Sequence, residues 1–401
     1  MHLLKASIGN GLLFLPHGYK KTGYVMGIIC SIFIGTLCTH TVVTLVRCSQ
    51  LLCKRHHIPM LDFAGTVEVA FEHGPEMIRK YSKIASIVTN VIVCFVHIQA
   101  GVIYTLYVST SFQQVIEHFS EYEMNVRIYI MALFPIICMF AFVPNLKYLA
   151  PFSVVGFLFM LTGVCVALRY LFEAFPSPAR LKPFTSFLPI PMYCTLFLYS
   201  LHNVTLCMPL ENSMKNPRRL PQLITYNMLA NTCLYTSFGF FGYNKYMDET
   251  CDTVIKNLPI DDPVAQTIKV TISLSVMFSF GLAYYVPFSI IWPKIQPRLT
   301  NIKYAKSMFR FAGVILTTLV AIAIPQLIPL LGFLTAISMT TIMLLVPIVI
   351  ETATKWKKAT RFLIAKNISI SVLWLLLLMF GAIQSMLSII REYGGEKQKG
   401  C

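Results

Sequence analysis

Residues His2–Pro16 read His-Leu-Leu-Lys-Ala-Ser-Ile-Gly-Asn-Gly-Leu-Leu-Phe-Leu-Pro, an apolar stretch interrupted near its middle by Gly9, Asn10 and Gly11. Two glycines around an asparagine disfavour a continuous α-helix. In a lipid bilayer, a backbone N–H or C=O without a partner is costly, so an opened turn is tolerated where protein, water or a ligand covers it. The stretch therefore suggests a binding site inside a membrane segment.

The composition is that of a membrane protein. Of 401 residues, 56% are hydrophobic and 12% are charged, and the mean hydropathy is +0.67, which is too apolar for a soluble protein of this size. The formal net charge is +16, but the Lys and Arg residues lie in short loops and form no continuous basic face, which argues against nucleic-acid binding. Most of the twelve cysteines lie inside apolar runs and do not resemble a disulfide framework.

Apolar runs of about 20 residues are long enough to cross a bilayer, and the sequence predicts eleven of them. We therefore expect an all-α polytopic membrane protein with eleven transmembrane helices, at His2–Pro16, Tyr24–Val46, Ile84–Phe112, Val126–Val143, Leu149–Phe172, Met192–Pro209, Leu223–Phe241, Val264–Trp292, Phe309–Leu330, Gly332–Ile350 and Ile368–Ile390.

The distribution of basic residues predicts the orientation. An N-terminus in the cytoplasm places most loop Lys and Arg residues on the cytoplasmic side, as the positive-inside rule requires. The amphipathic segment Leu61–Lys83 then lies on that side and is predicted to be an interfacial helix, with a turn at Gly74-Pro75.

The sixth run, Met192–Pro209, is also interrupted, by polar residues at Ser200–Thr205. Two interrupted segments five spans apart are typical of inverted-repeat transporters, whose site lies between them at the bilayer midplane. We expect one transporter domain over residues 1–401, with inverted five-helix repeats at 1–172 and 189–350, broken first and sixth helices, and an extra helix at 368–390.

Several short motifs resemble the proton-assisted amino acid transporters of the amino acid/auxin permease superfamily, and they span nearly the whole chain. They are Met1–Lys5, Ile8–Leu13, Leu15-Pro16, Leu45–Ser49, Phe112–Glu117, Asn145–Ser153, Pro209–Pro217, Asn257-Leu258-Pro259 and Tyr285-Val286-Pro287.

The resemblance implies symport of small neutral amino acids with protons. It also implies that the opened first and sixth helices present backbone amides to the substrate carboxylate and carbonyls to its amine, which agrees with the partial charges of helix ends. The chain departs from the family at Leu201–Thr205, where the family usually has Phe-Glu-Gly-Ile-Gly. Family members often join two external loops by a disulfide, but here only Cys251 and Cys401 are expected to be external cysteines.

The strongest candidate substrate-binding groups are Asn10 and the backbone amides of Gly9 and Gly11. Ser7 lies one turn earlier and is a further candidate. The alternative is that these small residues only allow two helices to approach closely.

The second wall of the candidate site consists of Ser200, His202, Asn203 and Thr205. His202 is also the first proton-coupling candidate, because it is the residue at that break that titrates near neutral pH. A neutral imidazole bonded to a neighbouring helix is an equally good interpretation.

In the third span, Asn90, His97 and Tyr104 are seven residues apart and share one helix face. Tyr104 matches a family tyrosine and is implied to reach the substrate carboxylate. His97 is a proton-coupling candidate, or a helix-to-helix hydrogen bond. His2 matches the first-span histidine that the family implicates in proton coupling, unless its terminal position leaves it merely solvated.

Glu211, with Lys215, Arg218 and Arg219 nearby, is predicted to lie at the cytoplasmic mouth. It is a candidate gate or positioning ion pair, and the alternative is an inert surface pair.

The sequence contains no metal-ligand spacing, nucleophile elbow or phosphate-binding loop in a usable context. We therefore expect no enzymatic activity, metal or cofactor. The expected function is secondary active transport of small neutral amino acids by proton symport, in the plasma membrane or a lysosomal or endosomal membrane. The alternatives are an amino acid sensor without net flux and a proton-independent facilitator. The expected partners are an amino acid, a proton and the lipid bilayer, and the sequence assigns no oligomeric state.

Overall fold

The computed structural model describes residues 9–120, 122–143, 146–173, 180–201, 207–208, 210–211, 214, 216–299 and 304–393. The regular structure of these residues is helical. The α-helices are α1 (Leu15–Thr22), α2 (Tyr24–His56), α3 (Phe63–Glu72), α4 (Glu76–Arg79), α5 (Ser82–Ser120), α6 (Val126–Ala141), α7 (Leu146–Phe172), α8 (Ile190–Ser200), α9 (Leu220–Tyr246), α10 (Pro263–Ile295), α11 (Ala305–Ala323), α12 (Leu327–Thr340), α13 (Val346–Lys355) and α14 (Arg361–Tyr393).

Within the described residues, seven helices are long and apolar enough to cross a membrane, at Tyr24–His56, Ser82–Ser120, Tyr148–Phe172, Pro263–Arg298, Ala305–Ala323, Leu327–Lys358 and Arg361–Arg391. The all-α membrane class is thus confirmed. Helices α6 and α8 lie at the predicted fourth and sixth spans but are shorter, whereas α1 shares only Leu15 and Pro16 with the predicted first span and continues to Thr22. Helix α9 lies at the predicted seventh span and carries the buried polar residues Asn227, Asn231 and Thr232. The count of eleven spans stays a prediction.

The predicted boundary between the ninth and tenth spans is wrong. The sequence pattern places it between Leu330 and Gly332, but α11 ends at Ala323 and α12 begins at Leu327. Pro325 explains the difference, because proline disfavours helical geometry in the residue before it, and Ile324 is extended, with φ −128° and ψ 84°. Gly332 instead lies inside α12, where a Cβ would come 2.6 Å from the Ser385 hydroxyl oxygen.

The segment between the second and third spans forms the two helices that the sequence indicates. Asp62 caps α3 by accepting a hydrogen bond from the backbone N–H of Gly65 at 2.7 Å, and α4 follows a turn at residues 73–75. The interfacial position of this segment stays a prediction.

The chain divides into two compact units. The first contains Met1–Val93, Lys182–Phe240 and Gly332–Ser385, and the second contains Cys94–Leu181, Phe241–Leu331 and Met386–Cys401. Each unit takes segments from both halves of the chain, and the predicted repeats, 1–172 and 189–350, stay a prediction.

Tyr19 fixes the packing around the start of the chain in the first unit. Its side chain is fully buried and fills a notch between Gly27 of α2 and Gly239 of α9, where an added Cβ would come within 2.7 and 2.6 Å of its ring. Its hydroxyl group donates to the backbone carbonyl of Thr236 at 3.2 Å. Helices α1, α2 and α9 therefore meet at one side chain.

In the second unit, α7 packs along α10 through glycines. A Cβ at Gly163 would come 2.3 Å from Ile272, and the Ser275 hydroxyl donates to the Gly156 carbonyl at 2.5 Å. The same unit contains Cys251, which takes part in a disulfide bond.

Candidate functional site

The chain is not α-helical across the first interruption. Gly9 is extended, with φ −111° and ψ 176°, and Asn10–Phe14 form a 3-10 helix that continues into α1. The described part of the segment thus departs from α-helical geometry where the glycines predicted it. Ser7 and His2 lie outside the described residues.

The second interruption also ends a helix at the predicted place. Helix α8 ends at Ser200, and Leu201 has φ −96° and ψ 19°. The chain is helical again at residues 207–208. His202, Asn203 and Thr205 lie outside the described residues.

The two interruptions meet inside the first unit. A Cβ built on Gly11 would lie 2.6 Å from the Cα of Ser200. One residue earlier on each segment, the Tyr199 hydroxyl donates to Oδ1 of Asn10 at 3.3 Å. The structure therefore brings Gly9, Asn10, Gly11 and Ser200 together from segments about 190 positions apart.

The polar groups at this contact are buried. Asn10 is 3% exposed, and its Nδ2 has no hydrogen-bond partner among the described residues. The Tyr235 hydroxyl is hydrogen-bonded to the backbone of Gly9. The first N–H groups of a helix also lack partners within it and carry partial positive charge. The contact between Asn10 and the end of α8 therefore offers hydrogen-bond donors suited to a carboxylate.

Tyr199 and Tyr235 were not identified from the sequence. Both are fully buried aromatic residues in apolar runs, where the pattern indicates only core packing. Their contacts with Asn10 and Gly9 depend on tertiary structure, which periodicity does not reveal.

Tyr104 and His97 belong to the second unit, on α5. Tyr104 lines a small apolar cavity with Thr105, Val108, Leu133, Ile137, Met277 and Phe280. Gly101, which lies between His97 and Tyr104 on α5, packs against Phe280. A Cβ added to Gly101 would lie 3.2 Å from the Phe280 ring. His97 is half-buried.

Glu211 is buried rather than at the surface. It is 8% exposed, burial raises the pKa of its carboxyl group, and a hydrogen bond from the Gln50 side chain opposes that rise. Gln50 also donates to the Pro217 carbonyl at 2.9 Å. Arg218 and Arg219 are exposed, and the ion pairs of the described residues do not include them. Lys215 lies outside the described residues, so the inert surface pair stays an untested alternative.

Comparison with known proteins identifies the family. The family model "Transmembrane amino acid transporter protein" matches residues 1–389. The chain is 31% identical over 409 residues to "Proton-coupled amino acid transporter-like protein pathetic" of Drosophila melanogaster, covering 100% of this chain and 86% of the relative. It is 24% identical over 346 residues to "Probable amino acid transporter skat-1" of Caenorhabditis elegans, covering 82% and 75%.

Solved structures of Mhp1 share the fold. The inward-facing conformation aligns with a TM-score of 0.57 and 13% identity, covering 98% of this chain and 89% of Mhp1. Mhp1, a nucleobase-cation-symport-1 family transporter, also aligns in a closed conformation with bromovinylhydantoin bound, with a TM-score of 0.54 and 12% identity, covering 98% and 90%. The family model, which spans nearly the whole sequence, and the similarity to the Drosophila relative show that the chain belongs to the transmembrane amino acid transporter family.

Proposed function

We propose that the chain is a secondary active transporter that moves small neutral amino acids across its membrane by proton symport. Family membership supports amino acid transport as the activity, rather than catalysis. The observation that carries the site is the contact between Gly9–Gly11 and the end of α8 at Ser200.

In the proposed complex, the substrate carboxylate binds at Asn10 and the first N–H groups of the 3-10 helix. The unpartnered Nδ2 of Asn10 supports this assignment. The substrate amine faces the backbone carbonyls at the end of α8, where the helix carries partial negative charge. Ser7, Asn203 and Thr205 are proposed to complete the pocket.

Energy coupling requires a group whose protonation depends on substrate binding. We assign this role first to His202, two residues after the end of α8, with His2 and His97 as the other candidates. A bound carboxylate favours the protonated imidazole, so substrate and proton tighten each other's binding reciprocally. Glu211, buried against Gln50, is the proposed gate.

The test is uptake of radiolabelled glycine, alanine and proline by proteoliposomes, with and without an inward proton gradient. Proton symport predicts concentrative uptake that requires the gradient. Equal uptake without the gradient would indicate a facilitator. Binding to the purified protein without uptake or exchange would indicate a sensor, and a lack of both would contradict the substrate class.

A further inference from the structure

An ionic network centred on one buried carboxylate joins three helices of the first unit. Glu351 of α13 is 3% exposed and accepts hydrogen bonds from Lys355 at 2.8 Å and from Lys366 of α14 at 2.7 Å. The Nζ of Lys366 also lies 3.0 Å from Nε2 of His40 on α2. Since an ammonium group only donates, Nε2 of His40 accepts here, and the imidazole is neutral.

Exposed basic residues surround this network. Arg47, Lys54 and Arg55 lie on the last turns of α2, and Arg55 donates to the Thr354 carbonyl of α13 at 3.3 Å. Lys357 and Lys358 are exposed between α13 and α14, and Arg361 is exposed at the start of α14. We call these six residues, with Lys355 and Lys366, the basic cluster.

The cluster has a large excess of positive charge. Helix α3, which packs against α13, carries Glu68 and Glu72 and is preceded by Asp62. With Glu351, these acids number half as many as the eight bases of the cluster. The ion pairs of the cluster within the described residues involve only Lys355 and Lys366, so the six exposed bases have no acidic partner there.

The same helices expose apolar surface beside the cluster. On α14, Phe362, Ile364 and Ile368 are exposed, and on α2 Leu51 is exposed between Arg47 and Lys54. In a membrane helix such residues face the lipid acyl chains. The basic cluster therefore lies next to exposed apolar surface of α2 and α14.

We propose that the basic cluster binds the headgroup of an anionic phospholipid, on the side that the Lys and Arg bias assigns to the cytoplasm. Basic residues next to a membrane helix attract anionic headgroups. The apolar faces of α2 and α14 accept the acyl chains, which a soluble anion would not use. Lys366 is the innermost base, because it is held between Glu351 and His40.

Trp356 provides a local probe, because it is exposed and stands between Lys355 and Lys357. The sequence contains three tryptophans, so the full chain with Trp292→Phe and Trp374→Phe retains Trp356 alone. In vesicles of phosphatidylcholine, we compare quenching of Trp356 by equal fractions of brominated phosphatidylserine and brominated phosphatidylcholine. The proposal predicts that the site prefers phosphatidylserine to phosphatidylcholine by at least about fivefold. This ratio corresponds to about 1 kcal/mol, the contribution of one basic residue near an anionic surface.

The test variant is Lys357→Gln/Lys358→Gln/Arg361→Gln, and the matched control is Arg79→Gln/Lys80→Gln/Lys83→Gln, which removes three exposed bases on the same predicted side. The preference is expected to disappear in the test variant and persist in the control. Equal quenching by the two lipids overturns the proposal, as does an equal loss in both variants. Displacement of the lipid by millimolar inorganic phosphate also overturns it, in favour of a soluble anion.

Thermal unfolding of the protein with all its tryptophans provides a second measurement if the tryptophan substitutions prevent folding. Phosphatidylserine is expected to raise the melting temperature above its value in phosphatidylcholine, and less so in the test variant. An equal melting temperature in both lipids contradicts the proposal. These experiments do not require transport.

Discussion

Gly11 packs against Ser200 so closely that a Cβ on Gly11 would lie 2.6 Å from the Ser200 Cα and 2.7 Å from its hydroxyl oxygen. The nearest atom belongs to the backbone of the other segment. The two interrupted segments of the candidate site can therefore approach this closely because Gly11 has no side chain.

Gly11→Ala is expected to lower stability by roughly 1–3 kcal/mol, the usual cost of overpacking, and to lower uptake. Ser200→Gly should not restore the variant, because the Ser200 Cα remains in place. Thermal unfolding and uptake of both single variants and the double variant test this. Full rescue by Ser200→Gly would show that the Ser200 side chain, rather than its backbone, limits how closely the two segments approach.

Asn10→Ala is expected to weaken amino acid binding by about tenfold or more, because a hydrogen bond to a charged group contributes roughly 1.5–3 kcal/mol. Tyr199→Phe should have a smaller effect, since its hydroxyl contacts Oδ1 of Asn10 rather than the unpartnered Nδ2. Isothermal titration of the purified variants with alanine compares the two. A larger loss of affinity in Tyr199→Phe than in Asn10→Ala would indicate that the substrate does not bind at Nδ2 of Asn10.

Uptake by the unaltered protein is expected to rise as the external pH falls from about 7.5 to 5.5, a range that includes the reference pKa of histidine. His202→Gln should lose most of this dependence and retain exchange. Initial rates at four pH values, with His97→Gln as the matched variant, check the assignment. A full pH response in His202→Gln would leave His2 or His97 as the coupling residue.

Glu211 predicts a pH-dependent stability of known sign. Burial raises the pKa of its carboxyl group above the ordinary value of 4.5, so the folded protein favours the protonated form. This contribution is fully present below about pH 4.5 and is lost as the pH rises through the folded-state pKa. Melting temperatures from pH 4 to 7 should show the effect in the unaltered protein but not in Glu211→Gln. Glu72→Gln, at an exposed position, should leave it unchanged.

Glu351→Gln is expected to destabilise the first unit by about 2 kcal/mol, because it leaves two lysines without their acidic partner. The lysine side chains are 40% and 21% exposed, which reduces the cost below that of a fully buried pair. Lys355→Gln should cost under about 1 kcal/mol, as for a pair that reaches solvent. Chemical denaturation in detergent measures both variants, and equal costs would contradict the assigned burial.

The sequence predicts the positions of the two interruptions because their causes are local. Glycines around Asn10 and polar residues after Tyr199 disfavour an α-helix wherever they occur. The contact between Asn10 and Tyr199 could not be predicted, since it joins residues 189 positions apart and depends on how the helices pack.

The errors also have local and tertiary causes. The glycine at position 332 predicts the span boundary there, although Pro325 is the stronger helix-ending feature. The basic residues that follow Glu211 allow a surface position for it, whereas tertiary packing against α2 buries its side chain.

The notch that holds Tyr19 has a consequence for mutational scanning. Gly27 and Gly239 each contact its ring so closely that any larger residue displaces it, and neither glycine lies at the interrupted segments. Growth-based scans for amino acid uptake should therefore score both glycines as severely as Asn10. Measuring cellular abundance beside uptake separates the two classes, because substitutions at Gly27 and Gly239 deplete the protein itself, whereas Asn10→Ala leaves normal amounts of a protein that binds its substrate more weakly.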